Sequence, residues 1–171
     1  MKCRKQGLIY LVGLFLLGSL IGINGCGVPQ WSGSGFLRKE FLEYKRVAVL
    51  PFEGDPTGEV SDTFSRSLHG RFPQIAIVGR RLMLERFQEP NLYYGRLDKE
   101  TRAKIGREFD VQAVIMGSVY YPSIVQWLLQ VIIVDTGTDV VLGRSHVEIN
   151  YMGAEGMGKG CDLAVRQLIV R

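Results

Sequence analysis

Gly153-Ala154-Glu155-Gly156-Met157-Gly158-Lys159-Gly160 nearly spells the phosphate-binding loop G-x-x-x-x-G-K-[ST]. In such a loop, backbone N–H groups cradle phosphate oxygens and a hydroxyl after the lysine holds Mg²⁺. Gly160 stands where that hydroxyl is required, so the stretch reads as a flexible connection from a strand to a helix. His69 and His146 are the two histidines. Neither has a Cys or carboxylate neighbour at ligand spacing, so both read as surface residues and no metal is expected. Cys161 falls on the apolar stripe of the last helix and reads as a buried, inert thiol without a disulfide partner. Asp135 and Asp139 flank a turn around Gly137, where Asp caps the local backbone. No nucleophile, base and orienting group come together, so the chain reads as a non-enzyme that needs no cofactor beyond covalent lipid.

That lipid belongs on Cys26. Lys2, Arg4 and Lys5 give a basic start, and an uncharged run follows from Gly7 with Leu8, Ile9, Leu11, Val12, Leu14, Phe15, Leu16 and Leu17 at its heart. The run ends at Ile23-Asn24-Gly25-Cys26. A basic head, a short apolar core and a small residue before the cut make residues 1–25 an export signal. The competing reading, a plain membrane-spanning anchor, wants about 20 predominantly apolar residues. Ile23-Asn24-Gly25-Cys26 resembles the bacterial lipobox, with an aliphatic residue three places before an obligatory cysteine and a small residue beside it. The thiol is needed because its sulfur takes a diacylglyceryl group before cleavage leaves Cys26 as the new N-terminus. Acyl chains such as palmitate then hold the protein to the membrane, each buried CH₂ contributing about 0.8 kcal/mol. Gly27, where an inner-membrane lipoprotein would often have Asp, points to the outer membrane, facing the periplasm.

The 171 residues are 46% hydrophobic and 22% charged, which excludes a disordered or collagen-like chain, and three cysteines cannot make a disulfide scaffold. A net charge of +4 would suggest nucleic acid or an anionic surface. Residues 1–25 hold three basic and no acidic side chains, so their removal leaves +1. No nucleic-acid partner is expected.

The elements that must position these residues alternate. Residues 26–45 read as the lipidated cysteine, a Gly/Ser tether through Gly35 and a lead-in helix from Phe36 to Tyr44; residues 46–171 read as one domain. Arg46 to Phe52 is a buried strand ended by Pro51, and Val60, Phe64 and Leu68 make one helix stripe ending near Gly70. Ile75 to Val78 is a second strand, and Arg80 to Gln88 a short helix burying Leu82, Met83 and Phe87. Asp98 N-caps a helix through Phe109 that turns Leu97, Ile105 and Phe109 inward. Its charges (Lys99, Glu100, Arg102, Lys104, Arg107, Glu108) make a solvated face. Val111 to Tyr120 and Ile124 to Val134 read as central strands, apolar on both faces. A strand from Val140 to Ile149 and a helix from about Ala154 complete the order β-α-β-α-α-β-β-β-α. That order predicts an α/β single domain, a mixed sheet with helices packed on it. Tyr93, Tyr94, Tyr120, Tyr121 and Trp127 are the aromatic candidates for a contact surface.

Several phrases in this order resemble the CsgG-like family of envelope lipoproteins: Val47-Ala48-Val49-Leu50-Pro51-Phe52-Glu53; Val78-Gly79-Arg80-Arg81 before Glu85-Arg86; Ala103-Lys104-Ile105-Gly106; Val111 to Val119; and Leu129 to Gly137. The family includes the curli secretion channel, and related folds occur in the lipoprotein activator of a penicillin-binding protein and in the N-terminal domain of TolB. The channel inserts pore-forming hairpins, each needing two spanning strands of about 9–11 residues. Neither Tyr120 to Gln130 nor the stretch after Ile149 has that room, so the pore does not carry over. The resemblance implies a lipid-anchored, non-catalytic module for assembly, secretion or activation, acting through an envelope protein partner. The alternative it implies is a subunit of an oligomeric secretion ring.

Overall fold

The computed structural model describes residues 31–86, 97–150 and 156–171. Its six strands are β1 Trp31–Leu37, β2 Arg46–Val49, β3 Ala76–Val78, β4 Ala113–Ser123, β5 Gln126–Asp135 and β6 Val141–Ile149. They form one mixed sheet in the order β1-β6-β5-β4-β2-β3. β2 runs parallel to β3 and β4, while β4, β5, β6 and β1 pair antiparallel. Among the described residues the α-helices are α1 Glu59–Arg71, α2 Arg80–Arg86, α3 Lys99–Phe109 and α4 Gly156–Arg166. The mixed sheet with packed helices is the architecture the sequence predicts, with one strand more.

That strand corrects the reading of the tether and the lead-in helix. Trp31 to Leu37 is no loose Gly/Ser linker: all seven residues pair with β6, from Trp31 opposite Ile149 to Leu37 opposite Gly143. Gly33 and Gly35 sit where a Cβ would press on β6 backbone and on Gln167, so small residues let the edge strand lie close. The helix expected over Phe36 to Tyr44 is a 3₁₀ turn, Lys39–Glu43, which drops Phe41 into the core. The sheet therefore begins ahead of residue 46.

Strand periodicity splits the interior in two. Val47, Val49, Ala113, Ile115, Leu129, Val131, Ile133, Val147 and Ile149 face α1 (Val60, Phe64, Leu68) and α4 (Cys161, Ala164, Val165, Leu168). Ala48, Leu50, Val114, Met116 and Val134 face α2 (Met83) and α3 (Ile105, Phe109). The first layer spans the sheet from β2 to β1; the second stops at the border of β5. Burying each large side chain contributes about 1.5–3 kcal/mol. Aromatic rings tie the layer together, with Phe52 against Phe64 at 5.6 Å and Phe41 edge-on to Phe72 at 5.8 Å.

Local chemistry fixes the ends. Asp98 accepts the Thr101 backbone N–H at 2.7 Å, as its position predicts, and hydrogen bonding from Thr101, backbone first and then side chain, holds its carboxyl below the usual range. The α1 N-terminus has a left-handed Gly58 at the cap, and the buried Asp55 carboxylate takes the orphan Ser61 N–H from outside the helix at 2.9 Å. Arg102 leaves the expected solvated face. Its guanidinium is mostly buried, with Nε donating to Asp139 at 2.8 Å and a second nitrogen to the Leu97 carbonyl, tying α3 to the β5–β6 turn.

Candidate functional site

The near-phosphate loop is not a loop where it can be seen. Gly156 to Arg166 is already helix, so Gly158 and Lys159 lie within α4, and Gly153 to Glu155 lie outside the described residues. A Cβ on Gly160 would stand 2.6 Å from the Trp127 ring and 2.3 Å from Ile149. Gly160 is thus the seat of an indole, which accounts for the missing hydroxyl. Trp127, expected on a contact surface, is 1% exposed and belongs to the core. Its strand register turns it inward with Leu129 and Val131, and its indole N–H has no hydrogen-bond partner among the described residues.

The remaining chemical candidates are structural in their contacts. Burial pushes the Cys161 thiol up to about 12, with the Asp162 and Asp55 charges adding to it, so a thiolate is disfavoured there. Asp135 accepts from the N–H groups of Gly137 and Thr138, from the Thr138 hydroxyl, and from the Tyr44 phenol across the chain. Burial pushes its carboxyl up, but these four bonds outweigh it and hold the group below its ordinary value. Tyr44 is raised correspondingly, by burial and then by that bond. His69 is exposed and His146 half-buried. No cluster of metal-ligating side chains occurs among the described residues.

What the fold does assemble is a sheet face left uncovered among the described residues. Residues directly opposite on antiparallel strands project to the same side. Ser118, Gln130, His146 and Ser34 form one row across β4, β5, β6 and β1. Tyr120, Leu128, Glu148 and Ser32 form the next. No described helix crosses these rows; the α3 layer ends at Met116 and Ile132, one row earlier. A concavity of about 470 Å³ lies here, lined by Glu53, Gln130, Ile132, Arg144 and His146 among others. Gln126 donates to Glu148 at 2.6 Å and to Asn150 at 3.0 Å, ordering the polar rim at one end. The face mixes one aromatic, aliphatic patches and both signs of charge, which suits a macromolecular contact better than a closed small-molecule pocket.

Of the residues singled out from sequence, Tyr120 lies on this face, 64% exposed. Tyr121 is 44% exposed at the β4–β5 tip, its phenol raised by burial and then by the Asp55 and Glu59 charges. Cys26, Tyr93 and Tyr94 lie outside the described residues. Sequence reasoning missed Arg144, His146 and Glu148 as a set, although the alternation Arg144-Ser145-His146-Val147-Glu148-Ile149 marks a strand with one polar face.

No family model and no curated protein matches the sequence. Among solved structures, the lipoprotein GNA1162 from Neisseria meningitidis superposes with a TM-score of 0.52 at 15% identity, covering 72% of this chain and 95% of that one. The fold is one found in a bacterial lipoprotein. The PelC dodecamer from Paraburkholderia phytofirmans gives a TM-score of 0.54 at 10% identity over 81% of this chain and 94% of that one. At such identities the likeness is one of fold. No helix among the described residues is long and apolar enough to cross a membrane.

Proposed function

We propose that this chain is a non-catalytic lipoprotein of the cell envelope, held by acyl chains on Cys26 to the outer membrane and working in the periplasm by protein contact. The observation that carries this reading is the uncovered face of β4, β5, β6 and β1, which follows a sequence with a lipobox-like Cys26. The lipoprotein fold and the CsgG-like phrases from Val47 to Gly137 support it, and they suggest a role as an assembly, secretion-accessory or activator module. Two measurements test it. Cys26→Ala should abolish the mass increase of acylation and release the protein from membranes; unchanged mass and partition would remove the anchor from the reading. A photo-crosslinking residue at Gln130 should yield a discrete protein adduct in intact cells, whereas one at the exposed Glu108 should not. Equal labelling from both positions, or none from Gln130, would discard the sheet face as a protein contact.

A second reading, a subunit of an oligomeric secretion ring, is favoured by the fold shared with the PelC dodecamer. Mass measurement of the lipidated protein in detergent separates the two. A discrete large ring supports the second reading, and a monomer or small oligomer the first.

A further inference from the structure

The β4–β5 hairpin ends in Tyr121-Pro122-Ser123-Ile124-Val125, and its tip is apolar and bare: Ile124 is 93% exposed and Val125 46%. Exposed aliphatics side by side on a protruding turn mark a contact surface. The surrounding sequence is unusual in the same sense, since no Asp, Glu, Lys or Arg occurs from Val111 through Val134. A surface of this kind needs an occupant, and the register of the sheet points to one.

Trp31 pairs with Ile149, and Ile149 pairs with Trp127, the second residue of β5. The chain therefore enters β1 at the same end of the sheet as the hairpin tip. With strands about 4.8 Å apart, entry point and tip are separated sideways by only about 12 Å. The tip projects beyond the row of Trp31, in the direction from which β1 comes. Four residues separate Trp31 from Cys26, and the five steps from one to the other can span at most about 18 Å when fully extended. An acyl group on Cys26 thus holds this end of the sheet at the bilayer surface. We infer that the β4–β5 tip docks on the bilayer that receives the Cys26 acyl chains, with Ile124 and Val125 entering the headgroup boundary and Tyr121 beside them. Aromatic side chains with one polar end favour that depth, and Trp31 and Tyr120 stand at the same end. Tyr121 to Val125 hold no Asp, Glu, Lys or Arg, so the contact is apolar and does not depend on anionic lipid.

The inference rests on acylation of Cys26, and its test keeps the two apart. The full lipidated chain carries Ile124→Cys, labelled with an environment-sensitive fluorophore and reconstituted in phosphatidylcholine vesicles. A second preparation carries the label at Thr138→Cys, in the turn at the far end of the sheet. Both positions are exposed, so neither label enters the core; Thr138→Cys gives up one hydroxyl bond to Asp135 and keeps the backbone bonds of the turn. The expected result is a blue-shifted emission at 124 that nitroxide-bearing lipids quench several-fold more strongly than at 138, with the opposite order for aqueous iodide. Equal iodide quenching at both positions in protein that floats with the vesicles overturns the docking and leaves the anchor standing. Failure of the unsubstituted chain to float with vesicles overturns both. Shielding of 124 in detergent alone, growing with protein concentration, makes a second copy the occupant and also overturns it.

Discussion

β2 and β6 belong to one sheet but live in different surroundings. Val47, Ala48 and Val49 are all buried because helices lie on both faces of the sheet there. In β6, Leu142, Ser145, Val147 and Ile149 are buried while Arg144, His146 and Glu148 are not, because among the described residues only the α1–α4 layer reaches that far. Double cover calls for apolar runs and single cover for alternation. The sheet thus has a half specified for stability and a half free to carry contacts.

That division can be tested by substitution. Trp127→Ala, on the covered side of β5, should cost about 3–5 kcal/mol in urea unfolding. A loss below 1 kcal/mol would mean that its seat on α4 is not packed as described. Gly160→Ala should destabilise by about 1–3 kcal/mol, because the added methyl meets Trp127 and Ile149. Gly158→Ala, two residues away on the same helix with open space around it, should stabilise by up to about 1 kcal/mol. Thermal melts of the pair read the sign directly, and a shared sign would break the contrast. Asp135→Asn should cost about 1–3 kcal/mol at pH 7 through loss of charged hydrogen bonds. The folded carboxyl is lowered, so its contribution is present above the ordinary carboxylate value near 3.9 and disappears as pH falls through the folded value. The difference between wild type and variant should therefore close in acid, and a gap independent of pH would assign the effect to packing. On the open face, His146→Ala and Gln130→Ala should each change stability by no more than about 0.5 kcal/mol. Of the two, His146→Ala should also weaken crosslinking from a photo-reactive residue at position 130 while leaving the melt unmoved.

The covered half was legible in the sequence because burial on two sides leaves few choices of residue. The β2 run, the Val60-Phe64-Leu68 stripe and the Asp98 cap all lie where hydrophobic period and capping chemistry put them. Elsewhere the signals were weaker. β1 is mostly Ser and Gly over Trp31 to Gly35, and it is held by backbone pairing to β6, which leaves no hydrophobic pattern to read. β5 was expected to be apolar on both faces, but Leu128 and Gln130 turn toward the uncovered side. An aromatic residue announces its size and not its direction, so Trp127 and Tyr120 looked alike until the register separated them. Arg102 was hidden in a run of alternating charge, and only the approach of the Asp139 turn drew it inward.

Leu37 closes β1 in a way that bears on mechanics. Its N–H donates to the Ile169 carbonyl at 2.8 Å, and its own carbonyl accepts from Arg171 at 2.9 Å, so the last residues of the chain are stitched to the end of the first strand. A pull on the chain upstream of Trp31 runs along the β1 axis. It loads the seven-residue ladder with β6 in shear, many bonds at once, and reaches the stitch at Leu37 last. With the anchor proposed at Cys26, drag on the domain would load this ladder before it opened the rest of the sheet, and β1 would serve as a force-bearing splice.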